Sequence, residues 1–254
     1  MGCQTAKAAT QVSHDRRRLS VGQVDATDNG AATADDKDAE GTIQTLNSAD
    51  IIALIEDANG GGGRKMSIGS NTDQGKTSFA NKATERKGDQ EADPAIGFTC
   101  RKGLKPESPN QDSWFVLCMD ESSIYGVFDG HGSKGHDVSQ FVKENLPKLM
   151  LKDKRYREAG SEQAMLTDVF KKTQGLIAAA DRMKKLSAQM SGTTATVCIH
   201  DHTEKKLALA HVADSTAVAG KMGGDGKMKW EMLTRDHKPN LKDERQRIEK
   251  AGGR

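Results

Sequence analysis

Aromatic residues are scarce. The 254-residue chain holds two Trp, two Tyr and six Phe, and of these only Phe79 precedes residue 95. Large side chains supply much of the burial that offsets chain entropy, so residues 1–94 are expected to build no core and to form a largely disordered tail. Cysteine is also rare: Cys3, Cys100, Cys118 and Cys198 make no C-x-x-C pair. That argues against a disulfide framework and for a reducing, cytoplasmic setting. No apolar run approaches the length of a membrane-spanning helix, and without a Gly-X-Y period or sustained heptads collagen and coiled coil are excluded. The first twenty residues include His14, Asp15 and Arg16-Arg17-Arg18 instead of an apolar stretch, so no secretory signal is expected.

Charge of neither sign dominates. Residues 1–94 carry 11 basic and 15 acidic side chains, a net −4, whereas residues 95–254 carry 27 and 21, a net +6. The modest basic excess favours a phosphorylated or acidic partner. Without a Lys/Arg-rich helix interleaved with aromatics, nucleic acid is not expected.

Within the tail, residues 48–58 read as a short amphipathic helix, with Ser48 as N-cap, Ile51, Ile52, Leu54 and Ile55 as its apolar stripe and Asn59-Gly60 as its stop. Alone it is too short to persist, so it either packs on the domain or serves as a docking segment. Beyond residue 95, strands are predicted over Ile96–Arg101, Ser113–Met119 and Ser123–Phe128. Helices follow over His136–Leu151, where Pro147 should kink or end the helix, and over Ser161–Lys185. Further strands over Thr193–His200, Lys206–Val212 and Thr216–Lys221 form a meander, and a helix over Leu241–Ala251 closes the chain. Hairpins in place of βαβ alternation argue for an antiparallel α+β architecture. The methionines between Met183 and Met232 are expected to fill gaps in its core. His200 and His202 flank a turn and are expected to be exposed there, not to ligate a metal.

The densest polar constellation is Asn110-Gln111-Asp112 before one strand and Asp129-Gly130-His131-Gly132 after the next. If the two strands pair as a hairpin, Asp112 and Asp129 come together at its open end. Two neighbouring carboxylates repel unless a cation lies between them, and hard oxygen donors suit Mg²⁺ or Mn²⁺. Gly130 permits a sharp turn and offers its carbonyl, and His131 is a candidate general acid. Gly130-His131-Gly132-Ser133-Lys134-Gly135 also spells the dinucleotide-binding fingerprint. However, Asp129 would oppose a pyrophosphate there, and a second helix follows where a parallel strand is required.

Lys102-Gly103-Leu104-Lys105-Pro106 with Asn110-Gln111-Asp112-Ser113, Val127-Phe128-Asp129-Gly130-His131-Gly132, Ser191-Gly192-Thr193-Thr194-Ala195, Val212-Ala213-Asp214-Ser215 and Leu233-Thr234-Arg235-Asp236-His237-Lys238-Pro239 together resemble the metal-dependent protein serine/threonine phosphatases, the type 2C or PPM class. The resemblance covers residues 95–254, with its motifs in family order. It implies a sandwich of two antiparallel sheets flanked by helices, and a two-metal Mg²⁺ or Mn²⁺ site with a weaker third ion. By that resemblance Asp129 bridges the metals, Gly130 ligates through its carbonyl, Asp112 supports the site and Asp214 serves the third ion. Metal-activated water would attack the phosphorus of a phosphoserine or phosphothreonine while His131 protonates the leaving oxygen.

Gln111 stands where many family members carry glutamate, and Ala213 and Thr216 replace the usual Gly and Arg. The phosphate-binding arginine has no clear counterpart, with Arg101, Lys102 and Lys105 as candidates. The family's later carboxylate-bearing segments would lie beyond Arg254, so a domain incomplete at its C-terminal end is expected. A catalytically silent module that binds phosphoproteins is the alternative to an enzyme. Phosphorylated proteins are the expected partners, and a monomer is expected. Met1-Gly2-Cys3 resembles a dual-acylation start, which would give peripheral membrane attachment. Ser20 and Ser67 each follow basic residues, as basophilic kinases prefer.

Overall fold

A computed structural model of the chain describes residues 34–71, 82–89, 95–103 and 109–253. Gly2, Cys3, Ser20 and Lys105 lie outside them. The architecture is mixed α+β, with antiparallel sheets and five α-helices among the described residues.

Its centre is the hairpin of β3 (Ser113–Met119) and β4 (Ser122–Phe128), which turns at Asp120–Glu121. Every residue of β3 is buried, as befits a β-rich run covered on both faces. The hairpin lies within a six-stranded sheet ordered β2-β1-β3-β4-β7-β8, where β1 is Lys65–Asn71, β2 Ala83–Gly88, β7 Ala195–Asp201 and β8 Lys206–Val212. Two ribbons stand apart from it. β5 (Gly130–Gly132) pairs with β6 (Ser191–Thr193), and β9 (Val218–Met222) with β10 (Met228–Met232).

One face of the sheet presents Phe115, Leu117, Ile124, Phe128, Val197 and Ile199 to α3 (Gly135–Lys152) and α4 (Glu162–Arg182). The 3.6-residue period of α4 places Met165, Leu166 and Val169 on this seam. Pro147 does not end α3, which runs on to Lys152 with Leu146, Met150 and Leu151 around the proline buried. The other face carries Met66, Ile68, Trp114, Val116 and Cys118. Residues 95–103 cross it without joining a strand ladder: Phe98 stacks on Trp114 at 4.5 Å between centroids. The strand expected over Ile96–Arg101 is therefore an irregular covering segment, whose apolar residues are used for burial and not for sheet pairing.

The expected tail also needs correction. Residues 34–71 and 82–89 form two helices and two strands joined to the body. α1 (Ala34–Ser48) buries Ile43 and Leu46 against Leu176 and Ala180 of α4. Asp36 takes two hydrogen bonds from Arg182, at 2.8 and 3.0 Å, and Glu40 pairs with Lys185. α2 (Ile51–Ala58) begins after Asp50, whose carboxylate accepts from the Ile52 amide at 3.0 Å. Ser48 ends α1 and so does not cap α2. Ile55 is fully buried in the main core. Aliphatic side chains supply here the burial that aromatics do not. Ser67 sits inside β1, between Lys87 and Leu117 of the flanking strands.

Among the methionines, Met190, Met222, Met228 and Met232 are exposed, not in the core, because among the described residues no layer covers the β9–β10 ribbon. His202 lies at the expected turn, with one ring nitrogen 3.1 Å from the Ser123 hydroxyl and the other 3.0 Å from the Asp120 carbonyl.

Candidate active site

The register of β3 against β4 ends at the pair Ser113 and Phe128, so Asp112 and Asp129 leave the hairpin side by side, as the sequence predicts. Their carboxyl groups are close enough to act on one another. The Asp112 carboxyl is pushed above the usual carboxylate range, first by burial and then by the negative charge of Asp129, with Lys82 opposing. A carboxyl pair held together in this way is short of positive charge.

The backbone around Asp129 is fixed from both sides. Its amide donates to the Thr194 hydroxyl at 2.9 Å, and the Thr194 amide donates back to its carbonyl at 2.9 Å. The Thr194 hydroxyl lies 2.6 Å from that of Ser215, which links the Ser-Gly-Thr-Thr segment to the end of β8. At Gly130 a Cβ would fall 2.4 Å from the carbonyl oxygens of both Gln111 and Gly135, so no other residue fits. Gly132 has φ +84 and a Cβ there would meet the Met190 carbonyl at 2.2 Å. Between these glycines His131 is exposed and lies over Gly192.

Gln111 bonds through both its side chain and its backbone. Its side-chain amide donates to the Gly132 carbonyl at 2.8 Å, a bond an ionised glutamate cannot make. Its own carbonyl accepts from Ser139 at 2.5 Å. The Asp112 loop, β5 and α3 are thereby tied together.

The cation at this end of the sheet is Lys82, immediately before β2. Its ammonium donates to the Ser113 hydroxyl at 2.6 Å. Burial pushes it down to about 8, while Cys100 and Asp112 act in the opposite direction. Sequence reasoning missed it because a lysine 30 positions from Asp112, in a presumed tail, carries no motif. Arg101 is exposed and Lys102 half-buried.

Asp214 follows the end of β8 and is exposed. Its carboxylate lies 3.2 Å from the Lys238 ammonium, which also binds Asp236 at 2.8 Å. Among the described residues no group of three or more His, Cys, Asp or Glu is placed to hold a metal. The structure thus places Asp112 and Asp129 side by side, while Asp214 neighbours Ser215, whose hydroxyl meets that of Thr194.

The sequence model of Protein phosphatase 2C matches residues 104–254. The chain belongs to that family. Among relatives of this phosphatase 2C chain, Probable protein phosphatase 2C 55 of Oryza sativa subsp. japonica is 37% identical over 162 residues, covering 62% of this chain and 39% of the relative. Probable protein phosphatase 2C 3 of Paramecium tetraurelia is 34% identical over 144 residues, covering 53% and 44%. The chain therefore spans less than half the length of these relatives. A crystal structure of serine-threonine phosphatase 2C from Toxoplasma gondii aligns with a TM-score of 0.44 at 20% identity, covering 55% of this chain and 49% of that one.

Proposed function

We propose that this phosphatase 2C chain hydrolyses phosphoserine and phosphothreonine in phosphoproteins with the help of Mg²⁺ or Mn²⁺. The observation that carries this is the Asp112–Asp129 pair, two hard oxygen donors held side by side and short of positive charge. These residues fit a divalent cation: Asp129, Asp112 and the Gly130 carbonyl would hold it. Bound there, it would lower the pKa of water and offset phosphoryl charge. Asp214, beside Lys238 and next in sequence to Ser215, is proposed to serve a weaker third ion.

The chain's own groups account for the rest. Lys82 stays largely protonated at neutral pH and offsets negative charge as a phosphoryl group approaches. His131, exposed beside the pair, donates a proton to the departing serine or threonine oxygen. Thr194 and Gln111 hold the backbone on either side of His131, at Asp129 and Gly132. Phosphoproteins are the proposed partners of a cytoplasmic monomer, with Gly2 and Cys3 as a proposed acylated membrane attachment.

The test is phosphate release from a phosphothreonine peptide with Mn²⁺, with Mg²⁺ and with chelator, beside the Asp129→Asn variant. Release that requires metal and falls at least about a hundredfold in the variant is expected. A folded chain that binds the peptide but releases nothing under any metal would be a silent phosphoprotein-binding module.

A further inference from the structure

The loop that follows β8 is fixed to two separate segments. β7 and β8 pair as far as Ala195 and Val212, and at Ala213 the chain turns with φ +74. Beyond that turn Ser215 returns to the start of β7. Its carbonyl accepts from the Thr196 hydroxyl at 2.8 Å, and its own hydroxyl lies 2.6 Å from that of Thr194. From the other side the Ala217 amide donates to the Thr234 hydroxyl at 3.0 Å, and Ala213 exchanges two bonds with His237.

Thr194 is buried, and its hydroxyl oxygen stands between two partners. It accepts from the Asp129 amide at 2.9 Å and meets the Ser215 hydroxyl. A hydroxyl has one proton and two lone pairs. With one lone pair turned to Asp129, the Thr194 oxygen keeps a proton and a lone pair for Ser215. Among the described residues the Ser215 hydroxyl meets no other partner. Removing either hydroxyl therefore leaves the other without its partner in a sheltered place.

The path between the two acidic segments is short. It runs from the Asp129 amide through the Thr194 and Ser215 hydroxyls to the peptide bond that joins Ser215 to Asp214. The Thr194 amide also donates to the Asp129 carbonyl at 2.9 Å, so movement of the Asp129 backbone is carried to Thr194. This route bypasses the Asp214 carboxylate, which lies 3.2 Å from the Lys238 ammonium.

We propose that Thr194 and Ser215 are positioning residues whose paired hydroxyls couple the Asp129 backbone to residues 213–217, so that a divalent cation at the carboxyl pair is felt in that loop. The coupling rests on the cation proposed for Asp112 and Asp129.

Mn²⁺ binding to the full chain is followed from the electron paramagnetic resonance signal of the free ion, and hydrogen exchange of residues 213–217 is measured with and without the ion. Saturable binding with slower exchange in that loop is expected. Thr194→Val and Ser215→Ala should each weaken binding at least about tenfold, as loss of a group that orients a ligand does. Each should also abolish the change in exchange at saturating Mn²⁺. Thr194→Ser, which keeps the hydroxyl, should retain both responses, whereas a merely structural role would move the thermal midpoint alone. The double variant should lose no more affinity than Thr194→Val, because the two hydroxyls act as one unit. Asp214→Asn should keep the change in exchange; its loss there would make an ion at Asp214 the carrier and overturn the coupling. Unchanged affinity in folded Thr194→Val, or losses that add in the double variant, overturn the coupling and leave the cation in place. A parent chain that binds no Mn²⁺ overturns the cation and the coupling together. If Thr194→Val does not fold, Ser215→Ala is judged by the same criteria.

Discussion

Ala213 holds φ +74, a left-handed conformation that suits glycine. It is kept there by two bonds to one partner: its amide donates to the His237 ring at 3.3 Å, and the His237 amide donates back to its carbonyl at 3.0 Å. Relief of about 1–2 kcal/mol of strain should outweigh the extra freedom glycine gives the unfolded chain, about 0.4–1 kcal/mol. Ala213→Gly is therefore expected to stabilise the fold by about 0.5–1 kcal/mol in urea denaturation, and a destabilised variant would show the conformation to be unstrained. Legibility varied sharply at this scale. Asp112 and Asp129 could be paired from the sequence because a short hairpin leaves its two ends together. Lys82 could not, because its approach depends on β2 pairing with β1 and β1 with β3.

Among the elements, α2 shows how tertiary contacts rescue a segment with little stability of its own. A helix of eight residues is marginal in water, yet Ile55 is fully buried, with Ile51, Ile52 and Leu54 packed around it. Ile55→Ala should cost about 2–4 kcal/mol, and the loss should appear in global unfolding, because the residue belongs to the main core and not to a satellite. Loss of protection confined to residues 34–58 in hydrogen exchange, with the urea midpoint unchanged, would instead make α1 and α2 an independently docked unit. β8 was predicted to the residue, since Lys206–Val212 is apolar-rich and bounded by turns. The irregular segment over residues 95–103 was not, because the same alternation of Ile96, Phe98 and Cys100 suits a strand or a covering chain equally well.

For the whole molecule, three histidines set the response to acid. His136, His200 and His211 are all held below the ordinary imidazole value, in each case chiefly by burial. His211 has both ring nitrogens buried without a hydrogen-bond partner among the described residues, and stacks on His237 at 4.6 Å. Because folding depresses these pKa values, the unfolded chain takes up protons first as pH falls. Their contribution to stability is complete above about pH 6.5 and is lost as pH drops through that value toward the folded-state pKa. Urea midpoints should thus decline between pH 7.5 and 5.5, and His211→Phe, which keeps a stacked ring, should flatten the decline. An unchanged slope would assign the effect to His136 and His200.

The local pattern of residues was enough to establish the family, most strands and helices of residues 113–250, and the meeting of Asp112 with Asp129, because each rests on short-range periodicity, turn chemistry or a single hairpin. Two features depended on contacts between distant segments: the incorporation of residues 34–71 and 82–89 into the body, and the placement of Lys82 beside the carboxyl pair. Sheet order and charge pairing arise from contacts dozens of residues apart, whose energies exist only once the chain has closed those loops, and no local run of residues records them.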